Sequence, residues 1–176
     1  MPERGSVTEF NSLLDEALES WVGVRAGLIG EIENIPSDQF DFRLTPETRS
    51  IREIAQHVME VALMMTGELC RPDGNFQRKP FSKLIDFYGA HVREANTKKE
   101  IISLLKSSHK DSDKRFREVG EIFMLQLITR FDGKKGTRLA WLHHGIGHEM
   151  YHTGQLTAFA RAIGKTPALT RLIEAS

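Results

Sequence analysis

A chain of 176 residues with 40% hydrophobic and 27% charged side chains has the size and make-up of one globular domain spanning 1–176. Its 24 basic and 24 acidic residues cancel, which leaves no bulk charge to draw nucleic acid or an anionic membrane. Cys70 is the single cysteine, so an intrachain disulfide is excluded and a structural thiol is the expected role. No apolar run approaches the roughly 18 residues of a membrane span. Met1-Pro2-Glu3-Arg4-Gly5 also lacks the apolar core of a signal peptide, so a cytoplasmic location is expected.

Ser6-Val7-Thr8-Glu9 has the form of a capping box. The stripe that follows, Phe10, Leu13, Leu14, Ala17, Leu18, Trp21, Val24, Leu28 and Ile32, predicts a first helix over 7–34 that stops before Pro36. After a polar connection with two prolines, Ser50-Ile51-Arg52-Glu53 caps a second helix running to Leu69. His57 lies on its apolar face between Ile54 and Val61. The stretch from Arg71 to Asn96 carries a turn signal at Pro72-Asp73-Gly74-Asn75 and a short helical segment, 81–88, that could pack as a lid. Thr97-Lys98-Lys99-Glu100 caps a third helix to Val119, with Gly120 as its C-cap. Its polar middle, 107–114, is expected at the surface. The apolar run 122–131 fits either an extended segment or a brief helix, and Asp132 to Gly136 is a turn. Thr137 caps a fourth helix, ended at Ile163 by Gly164 and Pro167. Its predicted inward stripe is Trp141, His144, His148, His152, Gln155, Leu156, Phe159 and Ile163. Four long helices without a convincing set of strands predict an all-α four-helix bundle, with long connections between helices two and three and between three and four.

The fourth helix holds the chemistry. His148 and His152 stand four apart, one turn along one helical face, where two imidazoles can share a divalent cation. Read as buried structural residues instead, each ring would need its own hydrogen-bond partner. His144 extends the pair to an i, i+4, i+8 ladder, but 144 and 152 are about 12 Å apart along a straight helix, too far for three ligands to converge. A third ligand from another helix fits better, and His57 is the best candidate. His144 then serves as an alternative ligand, a donor behind the ligands or a polar residue at the mouth. His143 should face away, and His91 and His109 should be solvated. Three neutral imidazoles leave a coordination position open, as in catalytic sites, and do not by themselves select the metal. Glu149 lies about 100° around the helix from His148, at the surface or behind the ligands. Tyr151 and Gln155 could hydrogen-bond to a bound water or substrate, or be simply a packed ring and a polar helix residue.

Three stretches together resemble the DinB-like superfamily of metal-binding four-helix bundles. Thr48 to His57 is similar to the start of that family's second helix, ending in its first histidine ligand. Asp132-Gly133 followed by Thr137-Arg138 is similar to the turn into its last helix. His148-Glu149-Met150-Tyr151-His152-Thr153-Gly154-Gln155-Leu156 resembles its H-E-x-x-H-R-G-Q-L signature, with Thr153 where arginine is common. The resemblance implies one divalent ion on His57, His148 and His152, zinc or nickel first and iron, cobalt or manganese as others. It also implies a homodimer and a small-molecule substrate. Some members are thiol S-transferases using bacillithiol, mycothiol or glutathione, and others isomerise maleylpyruvate. A metal-dependent thiol S-transferase is therefore the expected activity, with a non-catalytic metal- or ligand-binding stress-response bundle as the alternative. The H-E-x-x-H pattern also marks zinc peptidases. Here, however, only Glu174 could act as a downstream ligand, beyond Gly164 and Pro167, and no strand is predicted to hold a peptide.

Overall fold

The computed structural model describes residues 10–175. In chain order it holds α1 (Leu13–Asn34), α2 (Ile51–Leu69), α3 (Phe81–Gly89), α4 (Lys98–Met124), β1 (Leu127–Thr129), β2 (Lys135–Thr137), α5 (Arg138–Ala162) and α6 (Ala168–Glu174). The four long helices, α1, α2, α4 and α5, form the bundle: α1 and α2 each pack against both α4 and α5, so each pair stands on a diagonal. Among the described residues no helix is long and apolar enough to cross a membrane.

Local capping sets most of the helix starts. Ser50 accepts from the Glu53 amide while Glu53 reaches back to the Ser50 amide, and Thr97 and Glu100 repeat the arrangement, so two orphan amides are satisfied at each entry. The box expected at Ser6–Glu9 lies outside the described residues. The first helix starts at Leu13 rather than 7, with Ser12 Oγ accepting from the Asp15 amide at 3.1 Å. Phe10 and Leu13, placed on the inward stripe by periodicity, are exposed.

The connections hold more structure than the sequence predicts. The third bundle helix passes Val119: Gly120 takes φ 76°, a left-handed conformation open to glycine, and a further turn runs to Met124. The apolar run 122–131 is both things expected of it in succession, a last helical turn and then β1. That strand pairs antiparallel with β2 in the register Leu127↔Thr137, Ile128↔Gly136 and Thr129↔Lys135. Only Ile128 of the strand is buried, while Ile122 and Leu127 face out. Arg138, wholly buried, ties this hairpin to the end of α2 by donating to the Leu69 carbonyl at 2.7 Å and the Pro72 carbonyl at 3.3 Å. The short segment expected at 81–88 is α3, packed on α2. Beyond the helix-ending Gly164, α6 turns back onto α1, where the Ala168 amide donates to Glu31 at 3.0 Å.

Two apolar clusters fill the bundle. One surrounds Leu18, Trp21, Met64, Phe76, Phe116 and Leu142; the other surrounds Leu28, Ile32, Ile54, Val58, Leu105 and Leu156. Between them, Arg25 of α1, His109 of α4 and Glu149 and His152 of α5 form a polar layer that belongs to neither cluster.

The approach of α2 to α3 depends on Gly67: a Cβ there would lie 2.2 Å from the Tyr88 ring. Gly67→Ala is expected to destabilise the protein by about 1–3 kcal/mol, despite alanine's better helix propensity. Gly27→Ala on α1, where a Cβ meets nothing within 4 Å, is expected to stabilise it by about 0.5–1 kcal/mol. Denaturant unfolding of the two variants checks the contrast.

Candidate metal centre

Helix α5 makes two polar attachments that leave it in different directions. His148 and His152 face α2, while Glu149, about 100° around the axis, faces α1. There Arg25 grips Glu149 through both oxygens, with Nη2–Oε2 at 2.8 Å, and the Trp21 indole donates to Oε2 at 3.0 Å. Arg25 also donates to the Leu105 carbonyl at 2.9 Å, which joins α4 to the same knot. Glu149 is 2% exposed, so it is not a surface residue, and its hydrogen bonds go to Arg25 and Trp21. Burying a carboxylate is costly, and the paired guanidinium with its two-pronged hydrogen bonds offsets that cost. His109, expected to be solvated, also turns in, packing edge-on against Trp21 with ring centroids 4.4 Å apart. Burial lowers its pKa, with the Arg25 charge acting in the same direction.

On the other side of α5, His148 and His152 meet His57 of α2. One potential ligand nitrogen from each of the three lies within 4.8 Å of the others. His148 Nε2 and His152 Nε2 are 3.1 Å apart. Ligands at 2.0–2.1 Å around a tetrahedral ion stand about 3.3 Å from one another, so three nitrogens this close are compatible with one shared divalent ion. Gln155 Oε1 lies 2.7 Å from His152 Nδ1. An amide oxygen can only accept, so the proton sits on Nδ1 and the Nε2 lone pair points into the cluster. Burial is the main reason the rings are hard to protonate: His57 and His148 fall from 6.5 to about 4, and His152 is lowered as well. The positive charge of Arg49 adds to the effect at all three. Neutral imidazoles are the form that binds metal.

The remaining predicted residues divide. Gln155 sits behind His152, as described. His144 is outside the cluster: it is exposed and stacks on Trp141 with centroids 4.4 Å apart, at the mouth of a small cavity that also touches His148. Tyr151 is 66% exposed with its ring edge toward His152. His143 and His91 are exposed. The predicted inward stripe is therefore rotated. The buried line of α5 runs through Leu142, Ile146, Glu149, His152, Leu156 and Phe159, and Trp141, His144 and His148 lie along its edge. Sequence reasoning missed Arg25 and Arg49. Arg25 had a signal, a charge four residues from Trp21 on the apolar stripe of α1, which calls for a buried partner.

The pattern of the DinB family matches residues 8–174 of this chain. The chain belongs to the DinB family. Among solved structures, the DinB-like protein YjoA of Bacillus subtilis is 20% identical, with a TM-score of 0.64 over 86% of this chain and 93% of that one. YfiT of Bacillus subtilis, described as a probable metal-dependent hydrolase with an unusual four-helix bundle topology, is 15% identical with a TM-score of 0.70 over 94% and 95% of the two chains. A mycothiol-dependent maleylpyruvate isomerase is 13% identical with a TM-score of 0.64 over 83% of this chain and 61% of its own. At these identities the likeness is one of fold. A comparison with curated protein sequences gave no match.

Two outcomes follow from this geometry. Arg25→Ala leaves Glu149 charged and buried without its partner, and is expected to destabilise the protein by about 3–5 kcal/mol. Replacing both residues by leucine should cost less, and thermal unfolding of the two variants decides. The histidines set a pH dependence. Between pH 6.5 and about 4 the unfolded chain binds protons that folded His57 and His148 do not. Stability of the metal-free protein should therefore rise with pH across that window and fall on acidification. His57→Gln/His148→Gln should flatten this part of the profile in denaturant unfolding at a series of pH values, leaving the carboxylate contribution common to both proteins.

Proposed function

We propose that this protein is a metal-dependent small-molecule enzyme, a thiol S-transferase, whose divalent ion is held by His57, His148 and His152. The observation that carries the reading is the convergence of three neutral imidazoles, two half-buried and one buried, from two helices beside open cavities: His57, His148 and His152 are the group of metal-ligating side chains found among the described residues. An ion with an open position supplies Lewis acidity, which lowers the pKa of a bound thiol from about 8.5 and makes thiolate available at neutral pH.

The chain's own contribution is positional. Gln155 holds the His152 ring in one tautomer. The ion pair of Glu149 with Arg25 fixes the rotation of α5, and so the direction of His148 and His152. Next to His148, a cavity of 140 Å³ lined by Val61, Met64, Phe81, Phe131 and Trp141 offers an apolar group a place shielded from water. The descriptions of the structural neighbours, a probable metal-dependent hydrolase and a mycothiol-dependent isomerase, support metal and thiol chemistry on this fold. Hydrolysis with Glu149 as general base is disfavoured, because both of its oxygens are held by Arg25 and Trp21 away from the histidines.

The test is elemental analysis of natively purified protein beside a His57→Ala/His152→Ala variant, followed by a screen of low-molecular-weight thiols with small electrophiles. About one divalent ion per chain is expected, lost in the variant, with thiol conjugation that depends on it. An ion-free wild type that stays ion-free after reconstitution with zinc or nickel would refute the reading.

A further inference from the structure

We propose that Arg49 binds the carboxylate of the substrate, and that the site therefore takes a small organic acid with an apolar body. The proposal rests on the reading of the histidine cluster as the reaction centre and names the class of molecule that enters it.

Arg49 borders both cavities that open on the α2 side of the cluster. One, of 400 Å³, is lined by Arg49 together with His57, Gln56 and Glu53. The other, of 530 Å³, is lined by Arg49 together with Gln155, Thr48 and Phe159. The first reaches a proposed ligand directly, and the second reaches the residue that orients another. A guanidinium that lines both cavities stands beside His57 in one and Gln155 in the other, next to the cluster a ligand would enter.

Arg49 is also uncommitted. Its neighbours are all paired: Arg43 with Glu53 at 2.6 Å, Arg52 with Asp41 at 2.6 Å, and Arg93 with Glu60 and with Asp86 at 3.0 Å. Among the described residues Arg49 has no ion pair and no hydrogen bond from its side chain. The acids around it do not compete for it. Glu53 is held by Arg43 and by the Ser50 amide, and Glu60 by Arg93. Glu47, at the rim of the larger cavity, is engaged with Thr45.

The backbone that carries Arg49 is fixed while the side chain is free. Thr48 Oγ1 donates to the Thr45 carbonyl at 2.9 Å, the Thr48 carbonyl accepts from Arg43 at 2.5 Å, and the next residue, Ser50, is the N-cap of α2. The amides at this helix start are spent. Ile51 and Arg52 donate to the Phe42 and Phe40 carbonyls at 3.3 and 3.0 Å, and Glu53 donates to Ser50 Oγ at 3.2 Å. The anion-binding group at this end of α2 is therefore the guanidinium and not the helix terminus. A second donor stands nearby: Gln155 uses Oε1 on His152, which leaves its NH₂ free toward the larger cavity.

One planar fork and one amide donor match the two oxygens of a carboxylate. A phosphate would bring more charge and more acceptors than these two groups satisfy. Across the cluster, the apolar cavity beside His148, lined by Met64, Phe81, Phe131 and Trp141, receives the body of the acid. The acid is then held at one end by charge and at the other by burial, with its reactive atom between them at the histidines.

The test titrates phenylacetate, phenylacetamide and phenyl phosphate into wild-type protein, Arg49→Gln and Arg49→Lys, each metal-free and nickel-loaded, with affinity read by calorimetry or NMR. Loss of a charge-assisted contact should weaken phenylacetate about tenfold or more in Arg49→Gln, with part of the affinity kept in Arg49→Lys. Phenylacetamide should bind alike to all three proteins. Equal affinity of wild type and Arg49→Gln for phenylacetate, or no binding to wild type, overturns the proposal. Tighter, Arg49-dependent binding of phenyl phosphate overturns the choice of carboxylate. Nickel content is measured on the same samples. A wild type that holds no ion removes the metal reading while an Arg49 effect in metal-free protein stands, and an Arg49-independent affinity removes this proposal while the metal reading stands. Arg49 has no partner to lose, so its variants are expected to fold as wild type does.

Discussion

The ion pair between Arg25 and Glu149 is the contact on which the rest of this structure turns. Two opposite charges, 2% exposed each, lie in the middle of a bundle that is otherwise apolar above and below them. Desolvating such a pair is expensive and its mutual attraction only offsets that expense, so its value lies in specificity rather than net stability. Any rotation or axial slip of α5 against α1 would leave both charges unpaired. The bond thereby selects a single azimuth and a single height for the helix that carries His148 and His152.

That constraint explains how the centre is assembled. An α-helix separates successive side chains by about 100°, so fixing Glu149 toward α1 directs its neighbour His148, and His152 one turn later, toward α2. His57 meets them there because its own helix packs against the same side of α5. The three rings are half-buried or buried, which keeps them neutral, and Gln155 fixes the tautomer of one. In the H-E-x-x-H pattern the histidines and the glutamate thus do separate work toward different neighbours: the pair meets His57 of α2 and the acid is anchored to α1.

The surroundings of the centre divide by chemistry. Toward α3 and the hairpin the walls are aromatic and thioether, with Trp141 lying between His144 and the Arg130 guanidinium. Toward the start of α2 they are polar and charged, with an uncommitted cation among paired ones. The proposed acid substrate draws on both ends, the apolar and the cationic.

The sequence alone determined the parts that depend on local interactions. The boxes at Ser50–Glu53 and Thr97–Glu100 start their helices where capping chemistry places them, Gly164 ends α5, and the i, i+4 spacing puts His148 and His152 on one face. The family pattern, built from such local motifs, was legible too, and His57 was marked as the residue to complete the cluster. Only the tertiary structure decided what depends on partners far apart in the chain. Periodicity drew the inward line of α5 through Trp141, His144 and His148. The buried line instead follows Glu149, because Arg25, 124 residues away, supplies the charge that makes its burial tolerable. His109 went inward through a ring contact with Trp21, 88 residues away in the chain. The strand at 127–129 also depended on a remote partner, since three residues become a strand only when β2 is there to bond them. Spacing along one helix is written in the sequence, whereas a buried charge's partner and a cavity's walls come together only when the chain folds.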